Sequence, residues 1–126
     1  MVKPFVVIAA VSGLLAVVLG AFAAHGLKGK IEAPLLAAFQ TGVHYQFYHT
    51  LALLLLALLS LHLPQSGALY WSGWAFIAGI VLFSGSLYGL ALGGPSWLGP
   101  ITPLGGLSFI LGWLLLLLGS WRLTDV

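Results

Sequence analysis

Ala38-Phe39-Gln40-Thr41-Gly42-Val43-His44-Tyr45-Gln46-Phe47-Tyr48-His49-Thr50, followed at once by Leu51-Ala52-Leu53-Leu54-Leu55-Leu56-Ala57-Leu58-Leu59, decides how this chain is read. The leucine half is compatible with lipid on every side and predicts a membrane-spanning helix. The first half gathers most of the polar side chains of an otherwise oily molecule. Any chemistry the chain performs is expected there.

At about 100° per residue, Gly42, Tyr45, Gln46 and His49 share one face of this helix, and Val43, Phe47 and Leu51 lie opposite. Gln40, His44 and Tyr48 form a second polar stripe at i, i+4, i+8. Polar groups at membrane depth usually face protein or a wet cavity, because hydrocarbon leaves them unpaired at a cost of several kcal/mol. Three readings follow: interfacial side chains with their tips among headgroups, interhelical hydrogen bonds that position the bundle, or a ligand, proton or cofactor site. His44 and His49 are five apart, roughly 140° around and about 7.5 Å along the helix, so they cannot grip one metal ion from one helix. Another helix or subunit would have to supply ligands, with His25 the natural candidate.

Working outward, Pro34 has the place of a first-turn proline, so the helix starts near Ala33 and reaches about 42 Å by Leu61 at 1.5 Å per residue. The preceding polar segment His25-Gly26-Leu27-Lys28-Gly29-Lys30-Ile31-Glu32 reads as a loop. Before it, Phe5 to Ala24 is an apolar run of about the 20 residues that cross a bilayer. A cleaved leader is the rival reading, given Lys3 and the A-x-A form of Ala21-Phe22-Ala23, but the run exceeds the usual apolar region of a leader. Its small residues Ser12, Ala16, Gly20 and Ala24 predict close approach of another helix.

After the leucine run, His62-Leu63-Pro64-Gln65-Ser66-Gly67 is a turn cluster. A third span opens on the belt residues Tyr70, Trp71 and Trp74 and carries a Gly85/Gly89 small pair beside a Ser84/Tyr88 face. Gly93 to Pro100 breaks it, and Thr102-Pro103 reads as a cap and first-position proline of a fourth span. The fold class is therefore all-α: a four-transmembrane-helix bundle forming one membrane domain, residues 1–126, with spans near 5–24, 38–61, 71–92 and 103–121. Both termini lie on one side.

Composition excludes several function classes. The chain has 126 residues, 61% hydrophobic and 5% charged, against roughly 25% charged in a soluble domain. Four basic residues (Lys3, Lys28, Lys30, Arg122) face two acids (Glu32, Asp125), which is too sparse for a nucleic-acid footprint and ties the positive-inside comparison. No cysteine is present, so disulfides, thiolate metal sites and a Cys-x-x-Cys-His haem attachment are all excluded. Glu32 and Asp125 stand in flanking segments, so no paired-carboxylate constellation exists, and Ser84-Gly85-Ser86 lacks the setting of a nucleophile elbow.

Four blocks in order, Gly20-Ala21-Phe22-Ala23-Ala24-His25-Gly26-Leu27, Tyr45-Gln46-Phe47-Tyr48-His49-Thr50-Leu51-Ala52, Leu82-Phe83-Ser84-Gly85-Ser86-Leu87-Tyr88, and Thr102-Pro103-Leu104-Gly105-Gly106 with Gly112-Trp113, resemble the small membrane-protein family of bacterial YgdD- and YwdK-type proteins, related to a mammalian transmembrane protein. The resemblance implies a four-span bacterial inner-membrane protein without an established activity, with cytoplasmic termini. Its motif positions here are His25, Tyr45, Gln46, His49, Ser84, Ser86, Tyr88, Thr102 and Pro103, while His44 falls outside the pattern.

The expectation is a non-enzymatic component with no catalytic residues and no bound cofactor. Its partners would be membrane lipids and a second copy or another membrane complex, or it would pass a small solute or protons along a polar seam. The expected functional face is His25, Gly42, Tyr45, Gln46, His49, Ser84, Tyr88 and Thr102. The alternative is a redox module in which His25 and His49 hold haem, a metal ion or a quinone headgroup.

Overall fold

Apolar side chains that cannot face water, joined by short glycine- and proline-rich breaks, fold as four antiparallel helical spans in a computed structural model that describes residues 2–63 and 67–121. The spans are Val2–Leu27, Ala33–Ser60, Gly67–Ala91 and Ser96–Trp121. Of the expected turn after the second span, Pro64, Gln65 and Ser66 lie outside the described residues, as do Arg122 and Asp125 at the C-terminal end.

Helix α1 (Val2–Phe22) continues into a wider, π-helical turn, Ala23–Leu27. His25 therefore stands on a helical turn and not in the loop expected for it. The turn that follows is made by Gly29, whose φ of 81° suits a residue without a Cβ. Helix α2 (Ala33–Ser60) starts after an extended Glu32, with Pro34 in the first turn where no backbone N–H is required. Helix α3 (Gly67–Gly79) passes through a second wide turn, Ile80–Ser84, into α4 (Gly85–Ala91). The Gly85 N–H reaches back to the Ile80 carbonyl, one residue further than in an α-helix.

The third span ends in a paired-carbonyl cap. Gly94 N–H donates to Gly89 O at 2.7 Å and Gly93 N–H to Leu90 O at 3.3 Å, around a left-handed Gly93 with φ 89°. After a single 3₁₀ turn at Ser96–Leu98, α5 (Ile101–Trp121) begins. Thr102 lies inside its first turn and does not cap it.

Helix α1 packs along α2, and α5 along α3 and the second wide turn, so α2 and the third span form the middle of the bundle. Since lipid tails compete equally for apolar side chains, the packing depends on close approach and shape. Ala9, Ser12 and Ala16 of α1 are buried, and a Cβ on Gly20 would meet Val43 of α2 at 3.4 Å. The small-residue stripe of α1 is thus used within the chain, and Val43 faces that stripe instead of lipid. On α5, a Cβ at Gly105 would come within 2.3 Å of the Phe83 backbone nitrogen. The Gly85/Gly89 pair does not mediate helix approach: Gly85 has open space beside it, and Gly89 meets the Leu98 side chain of its own break.

Two apolar clusters occupy the ends of the bundle. One joins Phe5, Leu53, Leu56, Leu69, Phe76 and Phe109, and the other joins Ala23, Leu27, Phe39, Val43 and Ala91. Between them lies a polar layer. Outside, Leu14, Val18, Leu107, Ile110 and Leu114 face lipid, while Tyr70, Trp71 and Trp121 form an aromatic belt at one surface and Trp97 stands exposed at the other.

Candidate functional site

The polar layer is built from one residue type that hydrocarbon will not tolerate alone: the primary amide of Gln46, only 4% exposed on α2. Its Oε1 accepts the Tyr88 hydroxyl of α4 at 2.6 Å. Its Nε2 donates to the Ser12 carbonyl of α1 at 2.9 Å and, more weakly, toward Ser12 Oγ at 3.3 Å. Ser12 Oγ in turn shares a 2.7 Å hydrogen bond with Thr50 Oγ1. One amide thereby ties together the first three spans.

Gly42 makes this possible. A Cβ there would sit 2.8 Å from the Tyr88 ring, so any side chain would push away the phenol that Gln46 needs. The second wide turn supplies the other half: Ser84, fully buried at its end, donates to the Gly42 carbonyl at 2.6 Å. A carbonyl already bonded within its helix has a second lone pair to accept this.

His49 occupies the adjoining position. Its ring stacks on Phe109 of α5 with centroids 3.6 Å apart, and Phe76 and Trp113 close the sides. Trp113 Nε1 donates to His49 Nε2 at 3.0 Å, and His49 Nδ1 lies 2.8 Å from Tyr45 O. An indole N–H can only donate, so Nε2 is the unprotonated nitrogen and Nδ1–H donates to the carbonyl. Both ring nitrogens are therefore engaged. A metal ion or haem iron at Nε2 would have to displace the indole.

The expected site residues fall into four groups. Gly42, Gln46, Ser84 and Tyr88 converge in one network, with His49 beside it. Tyr45 stands at the rim, 39% exposed, with its ring against Phe83 at 4.7 Å. Thr102 belongs to a separate clasp: its hydroxyl pairs with Ser86 Oγ at 2.5 Å, while Ser86 also donates to Phe83 O. His25 is exposed at the end of the first span. It makes no hydrogen bond or ring contact with the other site residues among those described. Ser12 and Trp113 are the hydrogen-bond partners that sequence reasoning missed in this layer. Each is joined to α2 across a long sequence separation, and the only signal was a serine in a small-residue stripe and a tryptophan away from the belt.

Every buried side-chain nitrogen and oxygen among the described residues has a hydrogen-bond partner. The outer polar stripe of α2 is different. Gln40, His44 and Tyr48 are exposed, Tyr48 by 58%. Their side chains make no hydrogen bond among the described residues. The His44 and Tyr48 rings lie side by side, 6.3 Å apart, and Tyr48 also meets the Tyr45 ring at 5.8 Å.

Fold and site together define a four-span helical membrane protein whose interior polar groups join its helices. The family of unknown function DUF423 matches residues 19–106, and the chain belongs to that family. It is 48% identical to the UPF0382 membrane protein YwdK of Bacillus subtilis over 94% of this chain and 96% of that protein. It is 43% identical to a UPF0382 membrane protein of Haemophilus influenzae over 97% of each, and 43% identical to one of Staphylococcus aureus over 95% of this chain and 97% of that protein. No solved structure matches the chain.

Proposed function

We propose that the protein is a non-enzymatic membrane component that works by association, holding a rigid helical scaffold against another membrane-protein surface. The observation that carries this reading is the contrast on α2: the interior polar groups are used up in joining helices, whereas the side chains of Gln40, His44 and Tyr48 are held outward with no hydrogen bond among the described residues. A scaffold consumed within itself and polar on one outer stripe is suited to binding neighbours, not to turnover.

Passage of protons or a solute along the inner seam has weaker support. An amide side chain interrupts the route between Tyr88 and Ser12, and an amide hands on a proton only through an unfavourable tautomer. The redox alternative is opposed by Trp113 on His49 Nε2 and by the separate, exposed position of His25. The reading includes a place in the inner membrane with both termini cytoplasmic, which reporter fusions at each end would test. Native mass spectrometry after gentle extraction from the protein's own membranes, with an optical spectrum of the same sample, tests the main proposal. A stable complex supports it. A strict monomer, or a retained chromophore on His49, contradicts it.

A further inference from the structure

The exposed residues of α2 are spaced along one line. Ala37, Thr41, His44, Tyr48, Leu51, Leu55 and Leu58 are all exposed and follow one another at alternating steps of four and three. That is the seam spacing by which two parallel helices wrap into a left-handed pair. Its chemistry is graded: small residues at the N-terminal end, a polar pair in the middle, and leucines beyond.

The middle of this seam lies deep in the membrane. His49 stacks on Phe109, near the middle of α5, and its neighbour Gln46 bonds Ser12, near the middle of α1. Tyr48 adjoins His49 in sequence, and His44 lies about 7.5 Å nearer one surface, well inside the ~15 Å half-thickness of the hydrocarbon. Gln40 lies about 13 Å from that level by the same rise, close to the interface. Two polar rings are therefore aimed outward where neither water nor headgroups supply hydrogen bonds, a placement that membrane helices rarely tolerate unless protein covers it.

We infer that the seam centred on His44 and Tyr48 is the face by which two copies of this chain pair, side by side about a two-fold axis along the membrane normal. Copies inserted in the same direction bring equal depths together, so the imidazole and phenol of one meet those of the other. A neutral imidazole carries one donor and one acceptor, and a phenol donates and accepts. The same pair thus satisfies itself, needing no charged partner. Thr41 adds no demand, because its hydroxyl already donates to Ala37 O at 3.0 Å, and Ala37 leaves room for backbones to approach. Polar residues at such seam positions fix the register of a helix pair that leucines alone would leave free to slide. This inference rests on the association reading above and names its partner.

The chain has no cysteine, so single cysteines introduced at Leu51, Leu55 and Leu58, with controls at Leu14 of α1 and Ile110 of α5, which are exposed at least about as much, report the contact by oxidative cross-linking. The full chain is purified and placed alone in liposomes over a range of dilutions, and also cross-linked in native membranes. Covalent dimers at the three seam positions and not at the controls are expected. His44→Leu with Tyr48→Phe should weaken pairing on the order of tenfold, measured by energy transfer, at an unchanged helical signal. Equal cross-linking at all five positions, or undiminished pairing of the double variant, overturns the inference. So does a monomer in liposomes that cross-links from the seam to a different protein in native membranes, although that result leaves the association reading standing. A monomer in both settings removes both.

Discussion

At one level of the membrane, Gln46 on the inner face of α2 makes three hydrogen bonds to α1 and α4, while the Tyr48 side chain on the outer face of the same helix makes none among the described residues. Both side chains are polar, and both sit on a helix of the same stretch of sequence. The difference lies in what surrounds them. Gln46 looks toward a serine of a small-residue stripe and a phenol re-aimed by a wide turn, whereas Tyr48 looks past its own bundle. Under the proposed association, a polar residue in this membrane helix is structural or adhesive according to whether the chain itself completes its bonds.

Breaking the inner face at its tightest point should have the largest effect. Gly42→Leu drives a side chain into the space of the Tyr88 ring, where even a Cβ comes within 2.8 Å. The ring must move and the Gln46 acceptor loses its donor. A destabilisation of about 3 kcal/mol is expected, measured by steric-trap unfolding in bicelles. A near-neutral result would mean that Tyr88 repacks freely and that the network is not the joint described.

Next comes Gln46→Leu, which keeps the volume and removes the amide. It leaves the half-buried Tyr88 hydroxyl without its acceptor and removes the amide donor from the Ser12 carbonyl, at a cost of about 2 kcal/mol. The double variant Gln46→Leu with Tyr88→Phe should recover part of that loss, since both ends of one bond then leave together. Simple additivity would show that the two side chains are not coupled.

Trp113→Phe is a smaller perturbation, about 1 kcal/mol, as one interhelical hydrogen bond is lost and most of the ring contact with Phe76 is retained. Its more specific consequence is on the imidazole. Solid-state nitrogen NMR of the unsubstituted protein should find His49 protonated on Nδ1 only. In the variant, Nε2 is free to bind an added metal ion or to take up water, and its resonance should move. An unchanged resonance would argue against the indole as donor.

The division of the chain into four spans was legible because crossing a bilayer demands long uncharged runs, and 5% charge leaves little else. The special standing of Ala38 to Thr50 was legible for the same reason, since polar groups are conspicuous against leucine. The face of Gly42, Gln46 and His49 also followed from helical spacing. Their partners did not. Ser12 and Trp113 are brought to α2 only by how α1 and α5 lean on it, which local periodicity does not encode. Nor did the wide turns announce themselves: Ile80–Ser84 has no proline, yet it shifts the angle at which Ser84 and Tyr88 approach Gly42. Thr102 illustrates the converse, a residue whose cap-like sequence context gave way to a tertiary bond with Ser86.

The central claim is that one helix divides its polar residues between holding the bundle and meeting a neighbour. It is tested most directly by measuring unfolding and self-association together, in the same lipid, for two double variants: Gln46→Leu with Tyr88→Phe on the inner face, and His44→Leu with Tyr48→Phe on the outer. The inner variant should lose about 1–2 kcal/mol of stability with pairing retained in the folded fraction. The outer variant should unfold within about 0.5 kcal/mol of the parent as a monomer and lose its pairing. If instead the outer variant unfolds as readily as the inner one, or associates as tightly as the parent, the two faces do not have the separate roles assigned to them.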